Sequence, residues 1–257
     1  MSAWRERVEI AGGRAVLYLA DCLAVLPTLP SASVRLLWTD PPYGHNNHDG
    51  DFNARLNGHR GIEGAPIAND SPEAMRAVVD GALKAAVPLL ADDCCCCCCC
   101  GGGGPRPTFA WVADRMDRDG LQFFHSVIWD KLNPGLGWRF RRRHEMVMVA
   151  HKAGGKLSWA VDGRAVPNIW EGMPPRERQH PNEKPERLPA HFIELTTGVG
   201  DLVLDPFMGS GTTGAAALRL GRRFIGIEID DGYFRTACRR IAEAARQSDL
   251  LIPETAA

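Results

Sequence analysis

Apolar residues along the chain come in short unbroken runs, each closed by a polar turn, and between these runs they recur at helical spacing. The runs are AVLYLA (15–20), VRLLWTD (34–40), FFHSVIW (123–129), EMVMVAH (145–151), DLVLD (201–205) and RFIGIEI (223–229). Hydrophobicity that is continuous rather than alternating predicts strands covered on both faces. Helical periodicity predicts helices at 72–87, about 109–119, 185–197, 211–220 and 231–246, the first with Ser71 as its cap and Pro72 in its opening turn. Strands alternating with helices predict one α/β domain with a mostly parallel sheet and helices on both faces. Two stretches fit neither period. Residues 44–70, rich in Gly, Asn and His, predict a long loop, and residues 152–184, rich in Gly and Pro, predict irregular or short-stranded chain. Loops of this length inside a compact domain are usually functional or disordered.

One run is unlike the others: DDCCCCCCCGGGGP at 92–105, with seven consecutive cysteines from Cys94 to Cys100. A metal tract, a disulfide cluster and a redox device are the functional alternatives. A βαβ unit, however, requires a buried strand between the helix that ends near Leu90 and the one that begins near Phe109, and seven residues is an ordinary strand length. Cysteine is small, apolar and often fully buried. Neighbours on a strand point to opposite faces, so adjacent thiols neither converge on one metal nor reach disulfide geometry. The run therefore reads as a core strand, with Gly101 to Pro105 as its turn.

Composition narrows the setting. A chain of 257 residues that is 45% hydrophobic can bury a sizeable core, and the expected organisation is a single domain over 1–257. Lys plus Arg number 30 against 31 Asp plus Glu, so a polyanionic partner must be met by a local patch rather than a global field. The first residues lack the apolar core of a secretory signal, and no apolar run approaches the roughly 18 residues of a membrane span. Outside the run, Cys22 and Cys238 stand alone on predicted helices and form no spaced framework, which points to a reducing cytoplasm.

Two motifs carry chemistry. In LVLDPFMGSGTTGAAALRLG a strand, a tight turn and a helix follow in order, with Gly209, Gly211 and Gly214 in G-x-G-x-x-G spacing and Glu228 ending the next strand. Glycines permit close backbone approach, a helix N-terminus offers free N–H groups, and an acid one strand later can take ribose hydroxyls, so the unit describes a nucleoside-cofactor site. The pattern alone does not separate a nicotinamide dinucleotide from S-adenosylmethionine, although Asp205-Pro206-Phe207 ahead of the glycines and the late position in the chain are foreign to the dinucleotide fingerprint.

The second motif, VRLLWTDPPYG, places Asp40, Pro41, Pro42 and Tyr43 at the C-terminal end of a buried strand, the edge where ligands gather in open α/β sheets. The prolines fix the backbone and remove two N–H donors, leaving rigid carbonyl acceptors beside a carboxylate and an aromatic face. Such a turn suits a planar group bearing an NH₂. By accepting both amine hydrogens, Asp40 and the Pro41 carbonyl would return electron density to a nitrogen whose lone pair is delocalised into its ring. Taken alone, the same letters also fit a rigid turn with a surface aromatic.

Together, the two motifs resemble the amino-group DNA methyltransferases that use S-adenosylmethionine, and their order, DPPY before the cofactor loop, is similar to the beta class of that family. The resemblance implies a circularly permuted, Rossmann-like, mostly parallel seven-stranded sheet. It implies methyl transfer to the exocyclic amine of a base flipped out of double-stranded DNA, without a covalent enzyme intermediate. Asp40, Pro41, Pro42 and Tyr43 match its catalytic motif, with Tyr43 able to stack on the flipped base. Asp205, Pro206, Phe207, Gly209, Ser210, Gly211, Thr212 and Thr213 match the loop around the methionine part of the cofactor, and Glu228 the acid that takes the ribose hydroxyls. His180 and Lys184 in HPNEKP match a segment at the methionine end, where a lysine could pair with the carboxylate, and Asp21 and Cys22 one near the adenine ring. Asp at the first catalytic position is more usual for adenine N6 enzymes, with cytosine N4 the alternative. Attack at cytosine C5 would need a Pro-Cys nucleophile, which the sequence lacks. The implied setting is a bacterial or phage-encoded cytoplasmic enzyme, compatible with a homodimer and with a cognate restriction enzyme.

Arg139, Arg141, Arg142 and Arg143, interleaved with Trp138 and Phe140, form the candidate DNA-contacting stripe, against the plainer reading of a solvated basic face. The 44–70 loop directly follows Tyr43 and is expected to contact DNA at the active site, and residues 132–179 are the candidate target-recognition region. His45 and His48 have H-x-x-H spacing without a supporting helix or glutamate, so no metal site is expected. Trp129, Asp130 and Lys131 end a strand on the active edge, where they fit a pocket wall and a plain strand terminus equally. The competing functions are a nicotinamide-dependent oxidoreductase, resting on the glycine loop alone, and a non-catalytic DNA-binding module.

Overall fold

The computed structural model describes residues 2–44, 68–100, 108–134, 141–162, 165–175 and 183–251, with side chains in the last helix up to Ser248. Its strands are β1 (Glu6–Ile10), β2 (Ala15–Leu19), β3 (Val34–Thr39), β4 (Leu90–Cys100), β5 (Leu121–Asp130), β6 (His144–Lys152), β7 (Lys156–Leu157), β8 (Ile169–Glu171), β9 (Leu202–Asp205) and β10 (Arg223–Glu228). The α-helices are α1 (Cys22–Val25), α2 (Pro72–Ala86), α3 (Thr108–Arg115), α4 (Arg187–Thr196), α5 (Thr212–Arg219) and α6 (Asp231–Leu251).

The strands form one sheet in the order β1-β2-β10-β9-β3-β4-β6-β5-β8, with β7 paired to β4 off this path. Strands β2, β10, β9, β3 and β4 are mutually parallel, whereas β6 runs antiparallel to both β4 and β5. Among the described residues the sheet thus has ten strands where seven were expected. The additions are β1, β7 and β8, two of them only two and three residues long. None forms a continuous apolar run, and β1 alternates half-buried with exposed positions as an edge strand does.

Cysteines 94–100 are strand, and each is at most 2% exposed. Their side chains divide as the two-residue period requires. Cys94, Cys96, Cys98 and Cys100 pack with Met75, Val79 and Leu83 of α2, whereas Cys95, Cys97 and Cys99 pack with Trp38, Phe192 of α4 and Ile241 of α6. The row lies at the centre of the sheet, Cys97 opposite Trp38 on β3 and Val149 on β6. All nine cysteines are free thiols. The predicted turn from Gly101 to Pro105 lies outside the described residues.

Helices α1, α2 and α3 cover one face, and α4, α5 and α6 the other. Ser71 caps α2 as its sequence predicts, its hydroxyl accepting from the Ala74 N–H at 3.1 Å. Among the described residues no helix is long and apolar enough to cross a membrane.

Candidate active site

In this topology the parallel strands deliver their C-terminal ends to one edge. Read across the sheet, Asp21 follows β2, Glu228 ends β10, Asp205 ends β9 and Asp40 follows β3. Four acids widely separated in sequence therefore line one cleft. Its walls also include Cys22, Pro41, Pro42, Tyr43, Lys184, Pro206, Phe207, Gly209, Ser210, Thr212, Thr213, Asp230 and Tyr233.

Most of the sequence-predicted residues meet here. Asp21 accepts the Leu23 N–H at 2.9 Å and so caps α1, beside the buried Cys22. Asp205 is buried, its oxygens accepting from the Phe207 N–H at 3.0 Å and the Thr213 hydroxyl at 2.7 Å, which fixes the loop to the start of α5. Burial pushes the Asp205 carboxyl up to about 7 against the two hydrogen bonds that favour its anion. Glu228 accepts the Gly209 N–H at 2.9 Å on one oxygen and the Asp230 N–H at 2.8 Å on the other. Burial also raises the Glu228 pKa.

The three glycines of the loop do different work. Gly209 has φ +50°, and a Cβ there would meet no atom within 4 Å, so the backbone leaves a cradle on the cleft. A Cβ on Gly211 would come within 2.9 Å of Ala237 on α6, and one on Gly214 would strike Ile241 and Phe224. Gly211, expected at the cofactor, instead lets α5 close onto α6 and is not part of the cleft wall.

Lys184 also departs from its expected place. Its ammonium, only 6% exposed, donates to both oxygens of Asp40, at 3.0 and 2.9 Å. The Tyr43 hydroxyl donates to Asp40 Oδ1 at 2.6 Å, and the Lys184 ammonium lies 5.0 Å from the centre of the Tyr43 ring. A residue expected at the methionine end of the cofactor thus pairs with the Asp40 carboxylate. Burial opposes the Lys184 charge, but Asp40 and Glu145 outweigh it and raise the pKa above the usual lysine value. The Tyr43 phenol is pushed well above its usual value by burial and by the charge of Asp40.

Sequence reasoning missed Glu145. It sits at the start of β6 with Oε2 3.4 Å from Lys184 Nζ and Oε1 3.2 Å from Lys131 Nζ. Asp70 was missed too; it accepts the Gly44 N–H at 2.8 Å and so ties together the two ends of the segment that leaves after Tyr43. An acid opening an apolar run was the available signal for Glu145.

The basic stripe is only partly described. Arg141, Arg142 and Arg143 are exposed; Arg141 donates to the Pro134 carbonyl at 3.3 Å, and Arg143 pairs with Asp130 at the end of β5. Trp129 is buried and donates to the Gly172 carbonyl at 2.7 Å, so it braces β8 rather than walling the cleft. Arg139, His180, Trp138, Phe140, His45 and His48, with most of the 44–70 loop, lie outside the described residues, as do parts of 132–179.

The arrangement has parallels among known proteins. A family model for N6 and N4 methyltransferases, described as DNA methylase, matches residues 34–239. The type II methyltransferase M2.DpnII of Streptococcus pneumoniae is 34% identical over 147 residues, covering 51% of this chain and 55% of that protein. The chain spans about half the length of the curated relatives it matches. Among solved structures, the modification methylase TTHA0409 of Thermus thermophilus, complexed with S-adenosyl-L-methionine, is 27% identical with a TM-score of 0.66, over 89% of this chain and 95% of that one. The M1.HpyAVI–SAM complex is 26% identical with a TM-score of 0.63, over 87% of this chain and 98% of that one.

Proposed function

The chain belongs to the N6/N4 DNA methylase family, and from that premise we propose that it is a site-specific DNA methyltransferase acting on the exocyclic N6 of adenine, with S-adenosylmethionine as methyl donor. The observation that carries the reading is the meeting of Asp40 with the Asp205–Thr213 loop and Glu228 in one cleft. Family membership displaces the nicotinamide reading of the glycine loop.

The residues present suit the donor. Glu228 offers two carboxylate oxygens, each with one backbone partner, which leaves lone pairs for a vicinal diol. The open cradle at Gly209 admits a ligand against the backbone, and the start of α5, with Ser210, Thr212 and Thr213, favours the carboxylate end of a methionine because Lys184 is engaged elsewhere. Asp21 and Cys22 close the opposite end, the side for the adenine ring. When bound, S-adenosylmethionine supplies an electrophilic methyl group on a sulfonium.

Asp40 Oδ2 and the Pro41 carbonyl accept the two hydrogens of the target amine. This pulls the nitrogen lone pair out of conjugation and aims it into the cleft. As the nitrogen gains its new bond to carbon it must lose one proton, and the carboxylate of Asp40 is the nearest base. Tyr43 and the rigid prolines hold the plane of a base swung out of the duplex. Arg141 and Arg142, on the exposed stripe, supply phosphate contacts, and the 44–70 and 132–179 segments supply target recognition. The motif order supports a circularly permuted beta-class arrangement.

Adenine is favoured over cytosine N4 by the Asp at the first catalytic position, while the amine geometry would serve either base. The setting is the cytoplasm of a bacterium or an infected bacterial cell. The reading is compatible with a cognate restriction enzyme and with a homodimer, and depends on neither. Treating a DNA library with the purified protein and S-adenosylmethionine, then identifying the modified nucleoside by mass, tests it. N6-methyladenine is expected, N4-methylcytosine would reassign the base, and unmodified DNA would reject the function.

A further inference from the structure

Four ionised side chains form a continuous row behind the cleft. Lys131 Nζ lies 3.2 Å from Glu145 Oε1, Glu145 Oε2 lies 3.4 Å from Lys184 Nζ, and Lys184 Nζ lies 2.9 Å from Asp40 Oδ2. Two cations and two anions balance. The bonding within the row is uneven. Asp40 already accepts Lys184 on both oxygens and Tyr43 on Oδ1, whereas Glu145 Oε2 is inaccessible to solvent and, among the described residues, meets only the Lys184 ammonium, at 3.4 Å and without well-formed hydrogen-bond geometry.

That asymmetry poses a problem for Asp40. A carboxylate has about four acceptor positions, and three are used. One position is left on Oδ2, but a carboxylate bound by an ammonium on both oxygens is a weaker acceptor for an incoming amine until that ammonium turns away. A buried lysine cannot simply withdraw, because an unpaired ammonium out of water is costly. It needs a second anion within reach. Glu145 provides one: shortening its contact with Lys184 by about 0.5 Å would bring it to ordinary hydrogen-bond length. A buried acceptor without a well-formed hydrogen bond normally requires an explanation, and this would be its use.

We infer that Glu145 is a positioning residue which takes the Lys184 ammonium from Asp40 as the target amine arrives, so that the catalytic carboxylate is exchanged from lysine to substrate without leaving a bare buried charge. Glu145 touches neither substrate nor donor; it acts through Lys184. The ion pair with Lys131 holds the other Glu145 oxygen in place during the exchange.

This inference rests on the methyltransferase reading, and kinetics on the full chain separate the two. Glu145→Gln keeps the shape and removes the charge. Its kcat on duplex DNA is expected to fall at least about tenfold, while the affinity for S-adenosylmethionine measured by calorimetry and the KM for DNA stay at wild-type values and only the melting temperature falls with the lost buried charge. Glu145→Asp, which keeps the charge but sets it back by one methylene, is expected to give an intermediate kcat. A general packing defect would instead move affinity and melting temperature together. If Glu145→Gln does not fold, Glu145→Asp carries the test, and wild-type kcat in that variant overturns the inference. Wild-type kcat in Glu145→Gln also overturns it and leaves the methyltransferase reading standing. A wild-type protein that methylates no DNA overturns both.

Discussion

Lys184 and Asp40, 144 residues apart in sequence, are held as a bidentate ion pair in the wall of the cleft, with nitrogen–oxygen distances of 3.0 and 2.9 Å. The pair joins the segment before α4 to the end of β3. Its first consequence concerns stability. Replacing Lys184 by Met keeps the length of the side chain but leaves Asp40 and Glu145 without their shared cation. Breaking a buried pair from one side costs about 3–5 kcal/mol. Lys184→Met is therefore expected to lower unfolding free energy by about that amount at pH 8, and by less at pH 5, where Glu145, still raised by burial but stripped of one of the cations that lower it, more readily takes up a proton. Denaturant titrations at the two pH values check both the size and the direction.

The loop glycines give a second prediction, because two of them fail for different reasons. Ala at 214 would overlap Ile241 and Phe224, so Gly214→Ala is expected to destabilise the fold by about 1–3 kcal/mol, with donor affinity following only as the fold is lost. Ala at 209 meets nothing within 4 Å but adopts a left-handed backbone and fills the cradle. Gly209→Ala should cost only about 1–2 kcal/mol of stability while weakening S-adenosylmethionine binding at least about tenfold. Calorimetry and thermal unfolding on both variants separate the two effects.

A third prediction follows from Asp205, whose carboxyl is raised by burial from an ordinary 3.8 to about 7. Between these values the folded protein holds a proton that the unfolded chain has released, so this group's contribution to stability falls as pH rises from about 4 to about 7. The total is a few kcal/mol, at about 1.4 kcal/mol for each pH unit of difference. Asp205→Asn removes the titration. The stability difference between Asp205→Asn and wild type should shift toward the variant across that window and level off above it. A difference that stays flat from pH 4 to pH 7.5 would contradict the assignment.

The cysteine row predicts a labelling pattern. Of the nine free cysteines all but Cys238 are buried, and burial additionally raises the thiols of Cys94 to about 11 and Cys22 to about 12. Native protein at pH 8 should therefore take up about one thiol reagent rapidly, and nine after denaturation. Rapid labelling of several thiols in the native state would be incompatible with β4 as a core strand.

How far these features were legible in the sequence differs from element to element. The cysteine row could be placed because a two-residue period divides any seven neighbours between two faces, and the structure divides them so. The DPPY turn and glycine loop were legible because strand, turn and helix each left a local signature. Glu145 was not, since the rule that ligands gather at strand C-termini assumes parallel strands. β6 runs the other way, which brings its first residues, not its last, to the active edge. Strand direction is set by pairing with β4 and β5, and nothing local in HEMVMVAHK encodes it. The pairing of Lys184 was hidden for a related reason: its partner, Asp40, is distant in sequence, and only the closed fold shows which carboxylate the ammonium meets.

The central claim is that Asp40 prepares the target amine for methyl transfer, and Asp40→Ala measured beside wild type tests it most directly. Both proteins are given duplex DNA and S-adenosylmethionine with a labelled methyl group, and donor binding is measured separately. The account predicts labelled DNA with wild type, and in Asp40→Ala a loss of transfer of at least about a thousandfold with donor binding largely intact. Full transfer by Asp40→Ala would contradict it.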